Sequence, residues 1–316
     1  MHHAYRGGIL SARSTHDGSR FRFLVAVAVV VTTVGMLLAF PTGPAHAADP
    51  ATTPPLTDAN GVPLGITPPV IGPVPAAAHS ILAVGDSDLA QGLVVLPELL
   101  AQRGFDVPIH DAHGSGWGLL DPLDGASALD VLTRQLDAHP DVDTVIIGYL
   151  GVCAVACGPG KLAYGSPQFY AAWDATARAL VATARSRGLQ VVWAVSPPTA
   201  PVPTDEPPVE DWSSLPMRHQ VAMTLAVHAR TYARQFGIAT ADWTQAMTDT
   251  SGQWQPALSY DGAVHTLRLD DKVHLTEDGA RRASEWTMAT LAQVWSRPQT
   301  QPVATGGQVA KGKRSE

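Results

Sequence analysis

The chain has 316 residues, of which 45% are hydrophobic and 16% are charged, enough apolar material for one sizeable core. Its formal charge is −7. Without residues 1–47, which hold four of the basic and one of the acidic side chains, it becomes −10. An acidic body with no basic stripe argues against nucleic acid as a partner.

The N-terminal segment has the three parts of a secretory signal. Four arginines precede an uncharged apolar run at residues 23–40, and Ala45-His46-Ala47 follows it. This order predicts a signal peptide over residues 1–47, cleaved before Ala48. An uncleaved signal anchor is the alternative, because a run of this length can just cross a bilayer. In both cases we expect the remaining chain to be secreted or extracytoplasmic, with membrane attachment only if the segment stays uncleaved.

The rest of the chain divides into three parts by composition. Residues 48–78 are rich in Pro, Thr, Ala and Gly without any period, which predicts an extended linker. Residues 79–297 carry alternating strand-like and helix-like patterns and form the predicted domain. Residues 298–316 are predicted to be a disordered polar tail.

Within the predicted domain, short β-rich runs alternate with longer helical ones. The predicted strands are Ser80–Val84, Phe105–His110, Thr144–Tyr149, Gln190–Val195 and Ile238–Ala241. The predicted helices are Leu89–Arg103, Ala126–Ala138, Pro167–Arg187, Pro216–Phe236 and Glu277–Trp295. This order predicts an α/β fold, a three-layer sandwich with a parallel central sheet. Ligands of such sheets bind at the carboxyl ends of the strands, so chemistry is expected directly after strands.

The first predicted strand runs directly into Gly85-Asp86-Ser87-Asp88. A serine at a strand-to-helix junction presents its hydroxyl at the top of the sheet, where a backbone N–H can stabilise an oxyanion. Ser87 is therefore a candidate nucleophile. A simple turn in which Ser87 caps the following helix is the alternative.

A second candidate segment lies near the other end of the domain. Asp271 precedes His274 by three residues, just before the last helix. A carboxylate in the same loop can orient an imidazole and stabilise its charged form, which supplies the base that a serine nucleophile needs. A solvated surface loop is the alternative. His265 is a competing base, although no carboxylate stands at matching spacing.

These two segments together resemble the SGNH, or GDSL-type, hydrolase superfamily over roughly residues 79–297. The Gly-x-Ser-x-Gly elbow of ordinary α/β-hydrolases does not occur in the sequence. The resemblance implies a flavodoxin-like fold and ester hydrolysis, on acyl esters of lipids or cell-envelope glycans. It implies that Ser87 attacks the ester carbonyl, that His274 takes its proton and that Asp271 holds His274.

The resemblance also implies an oxyanion hole with three donors. Two are the backbone N–H groups of Ser87 and of a glycine after the second strand, which we assign to Gly116 with Gly114 as the alternative. The third is an Asn after the third strand, yet the only Asn of the chain is Asn60 in the linker. Losing one donor costs on the order of 10²–10³ in rate. The expected replacements are a backbone N–H at Val152 or Cys153, or the side chain of His113.

Cys153 and Cys157 are the only cysteines. Outside the cytoplasm such an isolated close pair predicts a disulfide, with two free buried thiols as the alternative. We expect no cofactor and no metal ion, because zinc needs more ligands than this pair offers and His110 and His113 would face opposite sides of a strand. We expect a monomer.

Two further functions stay open from the sequence. An O-acyltransferase would use the same triad with a sugar hydroxyl in place of water. A non-catalytic binding protein on a decayed hydrolase fold is suggested by the missing Asn. The loops that shape the substrate pocket carry no pattern that separates these functions.

Overall fold

A computed structural model describes most of the predicted domain and part of the segment before it. The described residues are 55–71, 79–114, 118–121, 125–149, 156–157, 160, 162–197, 199 and 215–297, with backbone alone at 156–157 and 215–218. The predicted signal segment and polar tail lie outside these ranges. Within them, no helix is both long and apolar enough to cross a membrane.

Five parallel strands form the central sheet. In chain order the strands of the structure are β1 (Ile81–Asp86), β2 (Ile109–Gly114), β3 (Thr144–Gly148), β4 (Ala156–Cys157), β5 (Leu162–Ala163), β6 (Gln190–Val195), β7 (Ala239–Asp242), β8 (Ala257–Tyr260) and β9 (Ala263–Thr266). The sheet order is β2-β1-β3-β6-β7, while β4 pairs with β5 and β8 with β9 in antiparallel hairpins. If only the five strands of this sheet are numbered, their order is 2-1-3-4-5, as in flavodoxin-like folds. All five strands are parallel, but the order in which the chain adds them changes direction between β1 and β3.

Helices cover both faces of the sheet. They are α1 (Ser87–Leu93), α2 (Leu96–Gln102), α3 (Ala128–Ala138), α4 (Pro167–Ser186), α5 (Leu215–Phe236), α6 (Trp243–Ala246) and α7 (Glu277–Trp295). Alternate residues of β1 point to opposite faces, so that Leu82 packs with α3, α4 and α5 and Ile81 packs with α1, α2 and α7. The predicted three-layer α/β sandwich with a parallel central sheet is confirmed.

Two predicted elements differ from the structure near the candidate serine. The predicted helix Leu89–Arg103 is two helices, because Pro97 lacks an N–H and its ring would meet the carbonyl of Leu93 in a continuous helix. The second strand begins at Ile109 rather than Phe105, directly after Pro108. The segment that the sequence analysis placed after this strand is therefore partly inside it.

The hairpin β8–β9 was missed by the sequence analysis. Its turn is Asp261-Gly262, and both residues have positive φ (52° and 78°), as a two-residue turn of this kind requires. The Asp-Gly pair between two short apolar runs was the available signal. The hairpin matters for the site because the chain passes from it directly into the segment with Asp271 and His274.

Part of the segment predicted to be an extended linker is bound to the domain. The backbone of Gly65 donates a hydrogen bond to the carbonyl of Ser259 at 3.0 Å, and Ser259 donates to the carbonyl of Pro63 at 2.9 Å. Ile66 and Ile71 pack against the core beside α7. A proline-rich chain keeps its carbonyl acceptors and can dock in this way. Part of the predicted linker is therefore held against the domain by backbone hydrogen bonds and apolar contacts, and the domain boundary at residue 79 stays a prediction.

Candidate active site

The turn that follows β1 is built by tight packing and a side-chain cap. A Cβ added to Gly85 would lie 2.0 Å from the carbonyl oxygen of Gly148, so only glycine fits where β1 passes β3. The buried Asp86 caps α1, since its carboxylate accepts from the N–H groups of Asp88 at 3.1 Å and Leu89 at 3.3 Å. The alternative that Ser87 caps the helix is thus wrong, because Asp86 does so.

Ser87 is the first residue of α1 and is half-buried. It stands at the carboxyl end of β1, next to the point where the strand order reverses between β1 and β3. In open parallel sheets this crevice is where ligands bind. The structure thus places the candidate nucleophile where the fold class expects chemistry.

Asp271 and His274 form a hydrogen-bonded pair in the loop before α7. Oδ2 of Asp271 lies 2.6 Å from Nδ1 of His274, and Oδ1 accepts the backbone N–H groups of Val273 and His274, each at 2.9 Å. The loop is closed by the N–H of Leu269, which donates to the carbonyl of His274 at 2.8 Å, and Lys272 takes a left-handed conformation with φ of 63°. The imidazole is therefore held by its Nδ1 side, with Nε2 left for proton transfer.

The environment of Asp271 keeps it ionised. Burial raises the pKa of its carboxyl, but the hydrogen bonds from His274 and Val273 outweigh burial and hold the pKa below its ordinary value of 3.8. A negative charge at this position stabilises the imidazolium that forms when His274 accepts a proton. The pair therefore has the properties of a base and its orienting carboxylate.

The lowered pKa of Asp271 predicts how stability depends on pH. A carboxyl whose folded-state pKa is lowered stabilises the fold above its unfolded-state pKa, and this contribution is lost as pH falls through the folded-state value. The wild type should exceed Asp271→Asn in unfolding free energy at neutral pH, and the gap should close below about pH 4. Urea unfolding at several pH values measures the gap. Asp270→Asn, at an exposed neighbour, is the control, and a gap independent of pH would contradict the expectation.

Two side chains that the sequence analysis missed connect this loop to its surroundings. Oε1 of Gln91, one turn along α1 from Ser87, accepts the N–H of Leu275 at 2.9 Å. The buried Arg268 donates to the carbonyls of Val273 and Pro197, so it ties the loop to the end of β6. Gln91 stands four residues after Ser87, about one helical turn, so its position next to the site could have been predicted. No pattern in the sequence indicates the role of Arg268.

The two candidate segments are thus neighbours although they are far apart in sequence. Ser284 of α7 also donates to the carbonyl of Gly92 in α1 at 2.7 Å, which packs the two helices together. Among the described residues, no hydrogen bond joins Ser87 Oγ to the imidazole of His274. Catalytic hydrogen bonds are often long without substrate and tighten when it binds.

The proposed oxyanion donors are described only in part. Gly116, Val152 and Cys153 lie outside the described residues, while the alternative Gly114 is the last residue of β2. β3 ends at Gly148, so the residue that directly follows it is the buried Tyr149, 2% exposed. Burial raises the pKa of Tyr149, and the nearby charge of Asp86 raises it further, so the phenol stays neutral.

The two other histidines considered for the site each have a carboxylate partner. His113 is bonded to Asp111 on the exposed side of β2. His265 lies 3.0 Å from Asp278 and stacks on Tyr260, so it has a carboxylate partner, although none stands at matching spacing along the chain. That partner belongs to the next helix, so spacing along the chain did not show it.

A groove of about 610 Å³ adjoins the loop that carries His274. Its wall beside that loop is Leu275 and Thr276, and His113 and Asp111 line another side. Its apolar lining comes mostly from α1 with the adjoining Val94, from α2 and from β2, and it includes Leu89, Leu93, Val94, Pro97 and Ile109.

The predicted disulfide cannot be placed. Cys153 lies outside the described residues, and the structure describes Cys157 by its backbone alone, in β4. The pairing of the two cysteines stays a prediction.

The parallel central sheet with helices on both faces matches the fold of SGNH-type proteins. A family model described as "Protein of unknown function (DUF459)" matches residues 80–290, and the chain belongs to this family. The resemblance stated from the sequence is thereby confirmed. The comparison with curated proteins found no match.

Several solved structures are similar to this chain at low sequence identity. A GDSL-like lipase from Bacteroides thetaiotaomicron is 14% identical, with 68% of this chain and 87% of that chain covered and a TM-score of 0.42. The psychrotrophic esterase EstA from Pseudoalteromonas sp. is 14% identical, with 68% and 97% covered and a TM-score of 0.42. A carbohydrate acetylesterase family member from Sinorhizobium meliloti is 14% identical, with 69% and 99% covered and a TM-score of 0.45.

Proposed function

We propose that this protein is an exported serine hydrolase of carboxylic esters, with Ser87 as nucleophile, His274 as general base and Asp271 as the residue that orients His274. The observation that carries the proposal is the 2.6 Å bond between Asp271 and His274 in a loop hydrogen-bonded to the helix that begins with Ser87. A non-catalytic binding protein would not need these three residue types at one end of the sheet, whereas an O-acyltransferase would use the same three.

The acylation step uses the tautomer that Asp271 selects. Nδ1–H of His274 donates to Asp271, so Nε2 carries the lone pair that removes the proton from Ser87. Oγ of Ser87 forms a bond to the ester carbonyl carbon, and the carbonyl oxygen becomes an oxyanion. When this intermediate collapses, the bond to the alcohol oxygen breaks and His274 gives its proton to the departing alcohol.

Deacylation repeats these steps with water. His274 takes a proton from the water while the water oxygen attacks the acyl carbon, and the proton then passes to Ser87 as the carboxylic acid leaves. The N–H groups of Ser87 and Gly116 are the proposed oxyanion donors. Without the Asn donor, the transition state is less stabilised by about 3–4 kcal/mol, so we expect slow turnover.

The proposed substrate class is an acyl ester of a lipid or of a cell-envelope glycan. The groove beside Leu275 does not include Ser87 or His274 in its lining, but it adjoins the loop of His274 and aliphatic side chains of α1 and α2 line it, which supports an apolar acyl chain in the substrate. The paired His113 and Asp111 give it a polar side that suits a headgroup or sugar. A sugar hydroxyl in place of water would make the same triad an O-acyltransferase.

Export is part of the proposal and rests on the sequence of residues 1–47. A disulfide between Cys153 and Cys157 is proposed for the same reason, since an oxidising compartment would keep such a close pair bridged. The protein is proposed to act as a monomer.

Covalent labelling tests whether Ser87 is an activated nucleophile. A fluorophosphonate probe should label the purified wild-type protein at one site, because an activated serine attacks phosphorus as it attacks an ester carbonyl. Ser87→Ala should remove the label, which gel fluorescence and peptide mass spectrometry measure. Ser80→Ala is the matched control, since Ser80 lies at the amino end of β1, opposite the end that precedes Ser87, and is bonded to Asp141.

The outcome separates the enzyme from the binding protein. Labelling at Ser87 with hydrolysis supports the esterase, and labelling with acyl transfer to an added sugar in place of hydrolysis supports the acyltransferase. A folded protein with neither labelling nor turnover would overturn both and favour the non-catalytic binding protein.

A further inference from the structure

A second cluster of side chains lies at the amino ends of the strands, whereas Ser87 lies at their carboxyl ends. His110 is the second residue of β2, His139 is the C-cap residue of α3, and Asp141 follows two residues later, before β3. One nitrogen or oxygen atom from each lies within 4.8 Å of the other two. The cluster is therefore formed at the amino ends of β2 and β3, where the proposed ester hydrolysis uses no residue.

We propose that His110, His139 and Asp141 form a binding site for a divalent transition-metal ion such as Zn²⁺. Two imidazole nitrogens and one carboxylate oxygen are a donor set that zinc takes in proteins, with water completing a four-coordinate shell. Imidazole ligands favour zinc, copper or nickel over magnesium and calcium, which prefer oxygen alone. The donor set therefore specifies the class of metal.

The arrangement of His110 and His139 supports this site. Their rings stack with centroids 3.8 Å apart and an angle of 22° between the planes, which holds the two side chains next to each other. Since imidazole lone pairs lie in the ring planes, one ring must turn out of the stack for both nitrogens to bind one ion. Nε2 of His110 is buried and has no hydrogen-bond partner among the described residues, and it lies 3.7 Å from Oδ2 of Asp141. A buried imidazole nitrogen without a hydrogen bond is unfavourable, and a metal ion would satisfy it.

Asp141 is held ready as the third ligand. Oγ of Ser80 donates to its Oδ2 at 2.9 Å, and this bond orients the carboxylate. Hydrogen bonds that orient a metal ligand are a regular part of metal sites. In a tetrahedral zinc site the donors are about 3.3 Å apart, and rotation of the exposed Asp141 side chain can close the present spacing.

The sequence analysis expected no metal ion, and its argument about one pair of histidines holds. His110 and His113 do point to opposite sides of β2, and His113 is bonded to Asp111 instead. His139 and Asp141 complete the set from a loop about thirty residues further along the chain, which spacing within one strand could not show. A metal ion here would link the amino end of the edge strand β2 to the loop between α3 and β3, and it would stabilise that edge strand.

Calorimetry with Zn²⁺ on the full chain, expressed without an affinity tag and stripped with a chelator, tests the site. We expect binding of one ion to this cluster, a raised unfolding temperature and, with Co²⁺, the visible absorption of a four-coordinate site. His139→Ala and Asp141→Asn should each weaken Zn²⁺ binding at least about tenfold, as loss of one ligand does. His228→Ala is the matched control, because His228 is paired with Asp174 between α4 and α5.

The other outcomes overturn the proposal. Binding that is unchanged in both ligand variants, no binding at all, or equal binding of Mg²⁺ would each show that the cluster is only a stacked pair with an ion pair. Circular dichroism identifies a variant that fails to fold, and His139→Gln then replaces it. Fluorophosphonate labelling of Ser87 should be the same with and without chelator, so failure of the metal site and failure of the proposed hydrolase are distinguishable.

Discussion

Replacing Ser87 by alanine should reduce hydrolysis of a short p-nitrophenyl ester by a factor on the order of 10⁴ or to background, with the fold intact. Ser87→Ala removes the nucleophile, and His274→Ala should cost a similar factor because it removes the base. The double variant should be no slower than either single variant, since residues that act as one unit are not additive. Initial rates of p-nitrophenol release measure all three, and circular dichroism checks the fold.

His265→Ala is the matched control for this experiment. His265 is also paired with a carboxylate, Asp278 at 3.0 Å, but it lies in the β8–β9 hairpin. Its variant should keep the wild-type rate. If His265→Ala abolishes activity and His274→Ala does not, the base is wrongly assigned. A wild-type rate typical of efficient esterases would instead show that another donor replaces the missing Asn.

Gly85→Ala should destabilise the protein by about 3 kcal/mol or more. The added Cβ would lie 2.0 Å from the carbonyl oxygen of Gly148 and 2.6 Å from Cδ2 of Leu89. The carbonyl belongs to the backbone of β3 and cannot rotate away, so β1 and β3 must separate where Ser87 begins its helix. Urea unfolding measures the loss, and the residual folded protein should also lose esterase activity.

Gly104→Ala separates this clash from ordinary backbone strain. Gly104 has φ of 83° and no atom within 4 Å of an added Cβ, so its cost is only the left-handed conformation, about 1 kcal/mol. The Gly85 variant should therefore lose clearly more stability. Equal losses would show that β1 and β3 adjust to the methyl group and that the close approach does not constrain the site.

Local signals in the sequence were enough for the Asp–His pair and the order of elements. Asp271 and His274 are three residues apart in one loop, so their contact depends little on the rest of the chain. Apolar strands alternating with amphipathic helices predicted a parallel sheet, because each pattern reports which face of an element is buried. Two predicted element boundaries were wrong because of prolines, which lack a backbone N–H. Pro97 divides the predicted helix into α1 and α2, and β2 begins only after Pro108.

Contacts between distant parts of the chain were decided by the tertiary structure alone. The bond from Leu275 to Gln91, the docking of residues 55–71 on β8 and the meeting of His110 with His139 join segments that share no periodicity. A hydrophobic pattern shows which face of a helix or strand is buried, but it does not show which other element that face packs against. Strand order and close packing determine that partner. The sequence alone therefore predicted the contact of Asp271 with His274, whereas the tertiary structure brought their loop next to the helix of Ser87 and formed the second cluster at the amino ends of the strands.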